Sequence, residues 1–315
     1  MSLHKFVNLL FLVFSLHVVS CAQGQKNSAE KLGYPKETKL LIIHADDLGV
    51  AHSVNQASTD AFEAGGISSA SIMVPCPWFP EIASYAQHHP EICFGLHLTL
   101  TSEWEHYRWD GVLPASEIPS LIGADGYFYP SSELVAQKAD PAEVEKEIRA
   151  QVARAISFGI NPTHLDSHMG SLFQRPEFFK SYVQVGRDYG IPVFIPYESV
   201  KSVAPALLDI PGKDYFFVDQ YYMADTQTAD QWAAYYSDIL KNLKPGLTEI
   251  IVHLAYDNAE MQAVAVNHPD FGSAWRQRDF DFFTSEEAKR LLKENNIILI
   301  TWKEIQEKMK AAATK

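Results

Sequence analysis

The stretch LLIIHADD, residues 40–47, decides how this chain folds. Its first five residues, LLIIH, form a short apolar run of the kind that makes a strand buried on both faces. Two consecutive acids, Asp46 and Asp47, follow at once. The pattern therefore predicts a central strand whose carboxyl end carries two carboxylates.

Apolar runs of this kind alternate along the chain with segments of helical periodicity. The clearest helix signal covers residues 141–158, where Pro141 stands near the start and Gly159 at the end. The predicted strands are residues 40–44, 69–74, 92–100, 163–168, 191–195, 248–254 and 297–301. The predicted helices are residues 53–64, 78–88, 141–158, 176–189, 230–243 and 285–295. About seven strands separated by helices indicate an α/β fold with parallel pairing, in either a barrel or a doubly wound sheet.

One long segment, residues 102–138, is predicted to be a loop region. It is rich in aromatic residues, namely Trp104, Tyr107, Trp109, Tyr127, Phe128 and Tyr129. Insertions of this kind in an α/β barrel usually border the active site. Because the sequence contains no internal repeat and no interior linker, we expect residues 39–315 to form a single domain.

Composition excludes several classes of protein. The 315 residues contain 26 Lys and Arg against 39 Asp and Glu, a net charge of −13, which disfavours nucleic acid as a partner. Three cysteines are too few for a disulfide framework or a cysteine zinc site. A disulfide between Cys76 and Cys93 and a homo-oligomer are both compatible with the sequence.

The first residues have the features of an export signal. Residues 6–19 are almost wholly apolar but are shorter than the roughly 20 residues that a membrane-spanning helix needs. We therefore expect a signal peptide over residues 1–20. The sequence VVSC ending at Cys21 resembles a lipobox, with plain cleavage near Ala22 as the alternative. Residues 21–38 are predicted to be a polar tether, so we expect a periplasmic or membrane-anchored protein of the cell envelope, attached only through Cys21.

Carboxylates and imidazoles gather where the predicted strands end. They are Asp46, Asp47, His97, His164, Asp166, His168 and His253. In a parallel barrel the carboxyl ends of all strands face one mouth, so residues far apart in sequence can converge there. Two histidines and one carboxylate form a ligand set for a catalytic divalent metal that leaves positions open for water.

Each of these residues also has a simpler interpretation. Asp46 and Asp47 could cap the following helix, because helix starts favour acids. Taken alone, His97 is typical of a hydrogen-bonded structural histidine. His164 and His168 share a side in either an extended or a helical segment, so their rings can be neighbours. The combination of several such strand ends favours a functional site. The histidines expected to be solvated are His88, His89, His106 and His268.

Four motifs occur in order along the chain: HADDLG (44–49), SSASIMV (68–74), GLHLTLT (95–101) and PTHLDSH (162–168). Together they resemble the YdjC-like carbohydrate deacetylases, and the resemblance covers residues 39–302. It implies an irregular, TIM-barrel-like parallel (β/α) barrel. It also implies metal-dependent hydrolysis that removes the N-acetyl group of an acetylated sugar or oligosaccharide.

The resemblance assigns roles to particular residues. One divalent metal would be held by Asp47, His97 and His168. Asp46 would be the general base, and His253 in EIIVH (249–253) would assist the leaving amine. Such a histidine suits proton transfer near neutral pH.

Two further residues are expected around these ligands, His164 and Asp166. Asp166 could hold a ligand histidine by its other ring nitrogen. The ligand types favour Zn²⁺, and the resemblance also allows Mg²⁺. RQRDF (276–280) resembles a late element of the family, whereas MGSL (169–172) stands where the family continues with histidines, and Leu254 where it commonly has proline.

Two alternatives belong to other functional classes. A glycosidase would use Asp46 and Asp166 as its paired carboxylates, and sensitivity to a chelator would argue against it. A lipid-anchored carbohydrate-binding protein without catalysis would release no acetate from acetylated sugars.

Overall fold

The structure is a computed structural model that describes residues 27–212 and 215–313. In these residues, seven parallel strands form one curved sheet. The strands are β1 (Lys39–Leu48), β2 (Ser69–Ile72), β3 (Phe94–Leu98), β4 (Leu165–Ser167), β5 (Gln220–Tyr222), β6 (Gly246–His253) and β7 (Ile297–Leu299). The longer helices are α2 (His52–Glu63), α3 (Phe79–His88), α5 (Pro141–Ser157), α6 (Pro176–Tyr189), α8 (Trp232–Asn242), α10 (Ser273–Phe283), α11 (Glu286–Glu294) and α12 (Trp302–Ala313). The shorter helices are α1 (Ser28–Leu32), α4 (Ser132–Lys138), α7 (Tyr197–Val203) and α9 (Ala259–Val264), with 3₁₀ turns at Pro119–Leu121, His168–Phe173 and Pro205–Asp209.

Strand β1 lies at the centre of this sheet. The order of strands is β4-β3-β2-β1-β6-β5, and β7 pairs with the first residues of β1. The four residues 40–43 are at most 1% exposed, as expected for a strand buried on both faces. The strand order confirms the irregular parallel barrel that the resemblance implies, because it follows the chain from β1 to β4 on one side while β6 returns to pair with β1 over eight positions.

The part of the barrel wall that connects β4 with β5 is not a regular strand. Residues 191–196 pass through it and make single bridges on either side, Leu165 with Val193 and Pro196 with Val218. Prolines have no N–H to donate to a ladder, so this segment cannot pair continuously. The strand predicted at residues 191–195 is thus wrong as a regular strand, although the segment occupies a strand's place in the wall.

Several elements of the structure were not predicted from the sequence. Strand β5 has only three residues, which is too short for a periodic signal. Helix α4 lies inside the segment predicted to be a loop and begins where the Ser131 side chain accepts a hydrogen bond from the Leu134 N–H. Helix α10 was also not predicted, and it carries Arg276, which proves important below.

The first described residues pack against the domain. In α1 the Ser28 hydroxyl donates to the Phe217 carbonyl at 2.8 Å, and Ala29 and Leu32 are buried. Residues 27–38 of the predicted tether are thus in contact with the domain. The predicted signal peptide and Cys21 lie outside the described residues. Within those residues, no helix has the length and apolar character needed to cross a bilayer.

Two cysteines fall in the described residues, and neither forms a disulfide. Cys76 and Cys93 are both buried free thiols. The Cys93 sulfur lies 3.1 Å from the Thr163 hydroxyl.

A glycine in β3 makes room for a buried imidazole. A Cβ on Gly95 would lie 2.3 Å from the ring of His164, which is completely buried. That ring stacks on Trp302 with centroids 5.0 Å apart, so it has no free space to move into.

We predict that Gly95→Ala lowers the free energy of unfolding by about 1–3 kcal/mol, because overpacking a filled core forces side chains or backbone to shift. Urea unfolding of the variant measures this. Since the clash is with one ring, the double variant Gly95→Ala/His164→Ala should be less destabilised than the sum of the two single variants. Strict additivity would contradict the assigned contact.

Candidate metal centre

The predicted polar residues meet at the carboxyl ends of the strands. In register, Asp46 of β1 stands beside His253 of β6, and His97 of β3 beside Asp166 of β4. The side chains that gather at this end are Asp46, Asp47, His97, Asp166, His168 and His253. The helix-capping alternative for the two aspartates is wrong, because α2 begins only at His52 and its first two N–H groups donate to the carboxylate of Glu260.

Asp47 departs from the strand conformation. Its φ is 69°, in the left-handed region, and the pairing of β1 with β2 shifts register between Ala45 and Leu48. Successive residues of a regular strand point to opposite faces. The irregularity lets the adjacent Asp46 and Asp47 both face the site, which fits the tendency of such strain and bulges to occur at functional positions.

Three atoms that could bind a metal ion lie close together, one each from Asp47, His97 and His168. Oδ1 of Asp47 lies 3.3 Å from Nε2 of His97 and 3.4 Å from Nδ1 of His168. This oxygen is buried and has no hydrogen-bond partner within the described residues. A buried carboxylate oxygen without a partner is costly unless something else satisfies it.

This donor set fits a divalent cation. Ligand atoms about 2.1 Å from a zinc ion at tetrahedral angles lie about 3.4 Å from one another, close to the two distances above. One oxygen and two imidazole nitrogens satisfy the ligand types of a catalytic site with open positions. The group Asp47, His97 and His168 can therefore hold one divalent metal ion.

Arg276 fixes the other oxygen of Asp47. Its Nη2 donates to Oδ2 of Asp47 at 2.6 Å, and its Nε donates to the Phe271 carbonyl. Burial opposes ionisation of Asp47, but the guanidinium and the neighbouring imidazoles hold its pKa well below the usual range. Asp47 is thus an anion with one oxygen tied to Arg276 and the other free.

Asp166 orients the first ligand histidine. Its Oδ1 lies 2.6 Å from Nδ1 of His97, which leaves Nε2 of that ring facing Asp47. This is the carboxylate–imidazole pairing that commonly fixes the tautomer of a metal ligand. It corresponds to the arrangement expected for Asp166 from the sequence.

Glu103 plays the same part for the second ligand histidine. Its Oε2 lies 3.1 Å from Nε2 of His168, so Nδ1 of that ring faces Asp47. Burial lowers the pKa of His168, but the charges of Glu103 and Asp47 outweigh it and raise the pKa to about 9. Sequence reading missed Glu103, because it lies in an irregular segment.

His44 lies between the carboxylates of Asp46 and Asp166. Its Nε2 lies 2.9 Å from Oδ1 of Asp46 and 2.9 Å from Oδ2 of Asp166. Its Nδ1 lies 2.9 Å from the Ser69 hydroxyl. Burial lowers the pKa of His44, but the hydrogen bonds to Asp166 and Asp46 raise it well above the usual value. A buried imidazolium thus holds both aspartates in place, a role that the sequence did not reveal.

His253 closes the site on the side of β6. Its Nε2 lies 4.0 Å from Oδ2 of Asp46 and 4.0 Å from Oδ2 of Asp47. Burial, aided by the charge of Arg276, lowers the pKa of His253 to about 4, so its imidazole is neutral at pH 7.

His164 does not join the group around Asp47. It lies edge-on to His44 with ring centroids 4.9 Å apart, and its Nε2 is 3.7 Å from Oδ2 of Asp166. The expectation that its ring would neighbour that of His168 is wrong. The reason is that the extended strand β4 lies between the two histidines, and four residues at about 3.3 Å each separate positions 164 and 168 by about 13 Å.

The site opens into a cavity of about 560 Å³. Trp104 lines it from the long segment after β3, and the Arg276 guanidinium lies 5.7 Å from that ring. His268 also lines the cavity and is half-buried, so it is less exposed than a surface histidine. Glu249 lies in the wall, where burial raises the pKa of its carboxyl to about 8 and the Trp302 indole donates to it.

Known proteins resemble this chain over most of its length. The family model for YdjC-like proteins matches residues 40–294. A carbohydrate deacetylase of Thermus thermophilus is 32% identical over 281 residues, which is 85% of this chain and 94% of that protein. A carbohydrate deacetylase of Geobacillus stearothermophilus is 29% identical over 267 residues, covering 84% of this chain and 96% of that protein.

One solved structure agrees in fold as well. A crystal structure from Enterococcus faecalis V583, described provisionally as a cellobiose-phosphate cleavage protein, has a TM-score of 0.72 and 25% identity, covering 85% of this chain and 99% of that one. This chain belongs to the YdjC-like family, as the four sequence motifs indicated.

We predict that Asp47→Asn abolishes stoichiometric metal binding, whereas Asp46→Asn retains it. Asparagine tolerates the left-handed conformation at position 47, so the change removes charge without forcing the backbone to move. Metal analysis of both purified proteins after loading with Zn²⁺ or Mg²⁺ measures the difference. Equal metal loss in the two variants would overturn the assignment of Asp47 as the ligand.

We also predict that Glu103→Ala weakens metal binding about 10-fold or more, the usual cost of losing a group that orients a ligand histidine. Glu105→Ala is the matched control, because that side chain is exposed and bonds to Asn267. Calorimetric titration with Zn²⁺ compares the two. The same affinity in both variants would show that Glu103 does not support His168.

Proposed function

We propose that this chain is a metal-dependent carbohydrate deacetylase that removes N-acetyl groups from an acetylated sugar or oligosaccharide. The observation that carries the proposal is Oδ1 of Asp47, which faces one nitrogen each of His97 and His168 and has no hydrogen-bond partner in the described part of the chain. The relatives named as carbohydrate deacetylases, which cover most of this chain, support the substrate class.

The cation would be held by Asp47, His97 and His168. When bound, it would polarise the acetamide carbonyl and lower the pKa of a water molecule toward about 7. We assign Zn²⁺ on the basis of the two imidazole ligands, with Mg²⁺ as the alternative. Arg276 keeps Asp47 ionised and in one orientation.

Asp46 would take the proton from the attacking water. His44 holds one of its oxygens, Oδ1, and leaves Oδ2 directed toward the site and His253. A general base must be placed within hydrogen-bond reach of the proton that it removes, and Asp46 adjoins the ligand Asp47.

His253 would return a proton to the leaving nitrogen. Its Nε2 lies 4.0 Å from Oδ2 of Asp46, which is longer than a direct hydrogen bond, so the proton taken from water would reach this imidazole through a water molecule or after the two side chains approach. The C–N bond then breaks, giving acetate and the free amino sugar. Because His253 is buried and neutral before reaction, it needs the proton that Asp46 collects.

The glycosidase alternative fits the geometry less well. A glycosidase needs two carboxyl groups free to act on the sugar. Both oxygens of Asp166 are occupied by imidazoles, Oδ1 by His97 and Oδ2 by His44. Asp166 therefore supports other residues rather than facing a substrate.

Acetate release from N-acetylated chitooligosaccharides tests the proposal. We expect release that EDTA abolishes and added Zn²⁺ or Mg²⁺ restores, with no cleavage of glycosidic bonds. Glycosidic cleavage that persists in EDTA would favour the glycosidase. Binding of these sugars without acetate from any acetylated sugar tested would favour a non-catalytic carbohydrate-binding protein.

We predict that Asp46→Asn and His253→Ala each lower kcat by about 100-fold or more while metal content stays stoichiometric, because each removes a group that moves a proton. Steady-state kinetics with parallel metal analysis checks both. An unchanged kcat in either variant would remove that residue from the mechanism.

We also propose that the chain is exported and anchored to the cell envelope through lipid on Cys21, with residues 39–315 as the functional unit. The apolar run of residues 6–19 and the VVSC sequence support this. Membrane fractionation of wild type and Cys21→Ser tests it. Recovery of both proteins in the same soluble fraction would contradict lipid anchoring.

A further inference from the structure

The cavity has two chemically different ends. At one end lie the charged and imidazole groups around Asp47 described above. At the other end, next to helix α7 and strand β5, the wall is mostly apolar. The side chains that form this second end, here called the apolar arm, are Phe173, Phe194, Pro196, Val200, Val203, Tyr221 and Met223.

The apolar arm exposes large apolar side chains to solvent. Val203 is 82% exposed, Met169 at the junction of the two ends is 45% exposed and Tyr221 is 36% exposed. Scattered exposed apolar residues need no explanation, but several around one concave opening are typical of a ligand-binding groove. The arm therefore has the character of a binding surface.

The polar groups in the arm are few. Ser199 and Gln174 also line it, together with the hydroxyl-bearing Tyr221. A bare sugar carries a hydroxyl on most of its carbons, and each one buried without a partner costs free energy. The arm suits a group that needs few hydrogen bonds.

The continuity of the cavity joins the arm to the metal centre. In β6, Glu249 lies beside Tyr221 of the apolar arm, Ile251 follows in the same cavity wall, and His253 of the same strand reaches the metal centre. A single ligand can therefore occupy both ends only if it is polar at one end and apolar at the other.

We propose that the apolar arm is a subsite for an apolar aglycone, so that the substrate is an N-acetylated sugar bearing an alkyl, acyl or aryl group. This deepens the proposed deacetylase function and rests on it for the sugar end. The acetamide would lie at Asp47, His97 and His168 while the apolar group lies against Val203 and Tyr221.

The test compares glycosides of N-acetylglucosamine that differ only in the aglycone: methyl, hexyl and phenyl, below the concentration at which hexyl glycosides form micelles. Calorimetry on the metal-loaded Asp46→Asn protein measures binding without turnover. We expect the hexyl or phenyl glycoside to bind at least 10-fold more tightly than the methyl glycoside. Comparison of the hexyl with the phenyl glycoside distinguishes an alkyl from an aryl group.

Val203→Glu is the informative variant, because this exposed position tolerates a charge without disturbing the core. It should reduce the hexyl-to-methyl affinity ratio to near 1. Ile156→Glu is the matched control, since Ile156 is 45% exposed on α5 and lies outside the cavity. Its ratio should stay at the parent value.

The outcomes separate the two proposals. Tighter hexyl or phenyl binding that Val203→Glu abolishes, without acetate release by wild type, would retain the subsite and overturn the deacetylase function. Equal affinities for all three glycosides, with acetate released from each, would overturn the subsite and retain the deacetylase. Tighter binding that both variants preserve would also overturn the subsite, because the apolar group would then lie elsewhere.

Discussion

The site depends on one irregularity in its central strand. Two adjacent aspartates in a regular strand would point to opposite faces, so only one of them could reach the barrel mouth. The left-handed backbone at Asp47 and the register shift beside it bring both carboxylates to the same side. Asp47 can then face the imidazoles while Asp46 remains on the inner face of the barrel. The conformation is costly for most residues, and the hydrogen bond from Arg276 helps to hold it.

Carboxylates and positively charged or imidazole groups alternate at the mouth of the barrel. The imidazole of His44 lies between Asp46 and Asp166, that of His97 between Asp166 and Asp47, and Arg276 covers the far side of Asp47. Each carboxylate therefore has a hydrogen-bond donor near, which offsets the cost of burying it. A network of this kind gives every member one orientation. This preorganises the site, because its groups need not rearrange when charge develops on a substrate.

Sequence reading predicted those features that depend on local pattern. The apolar run before Asp46 and the strand-end positions of His97 and His168 are visible without any tertiary knowledge. His44 and Arg276 could not be assigned roles, because each acts through a partner brought near by folding, and Arg276 is separated from Asp47 by 229 positions. Glu103 lies in an irregular segment that has no periodicity to read. The sequence predicts a strand at residues 191–195 because their apolar composition is that of a strand, while Pro192 and Pro196 limit the pairing of the segment in the structure.

This imperfect wall has a consequence for how the protein can change over evolutionary time. Residues 191–196 and the helix that follows contribute almost nothing to the ladder of the sheet, and they carry none of the groups around Asp47. Substitutions there can reshape one side of the cavity while the reacting groups stay on β1, β3 and β6 and in the turn after β4. Under the proposed subsite, most of the residues that would set selectivity lie in other stretches of the chain than the reacting groups, so new specificities can arise without rebuilding the catalytic apparatus.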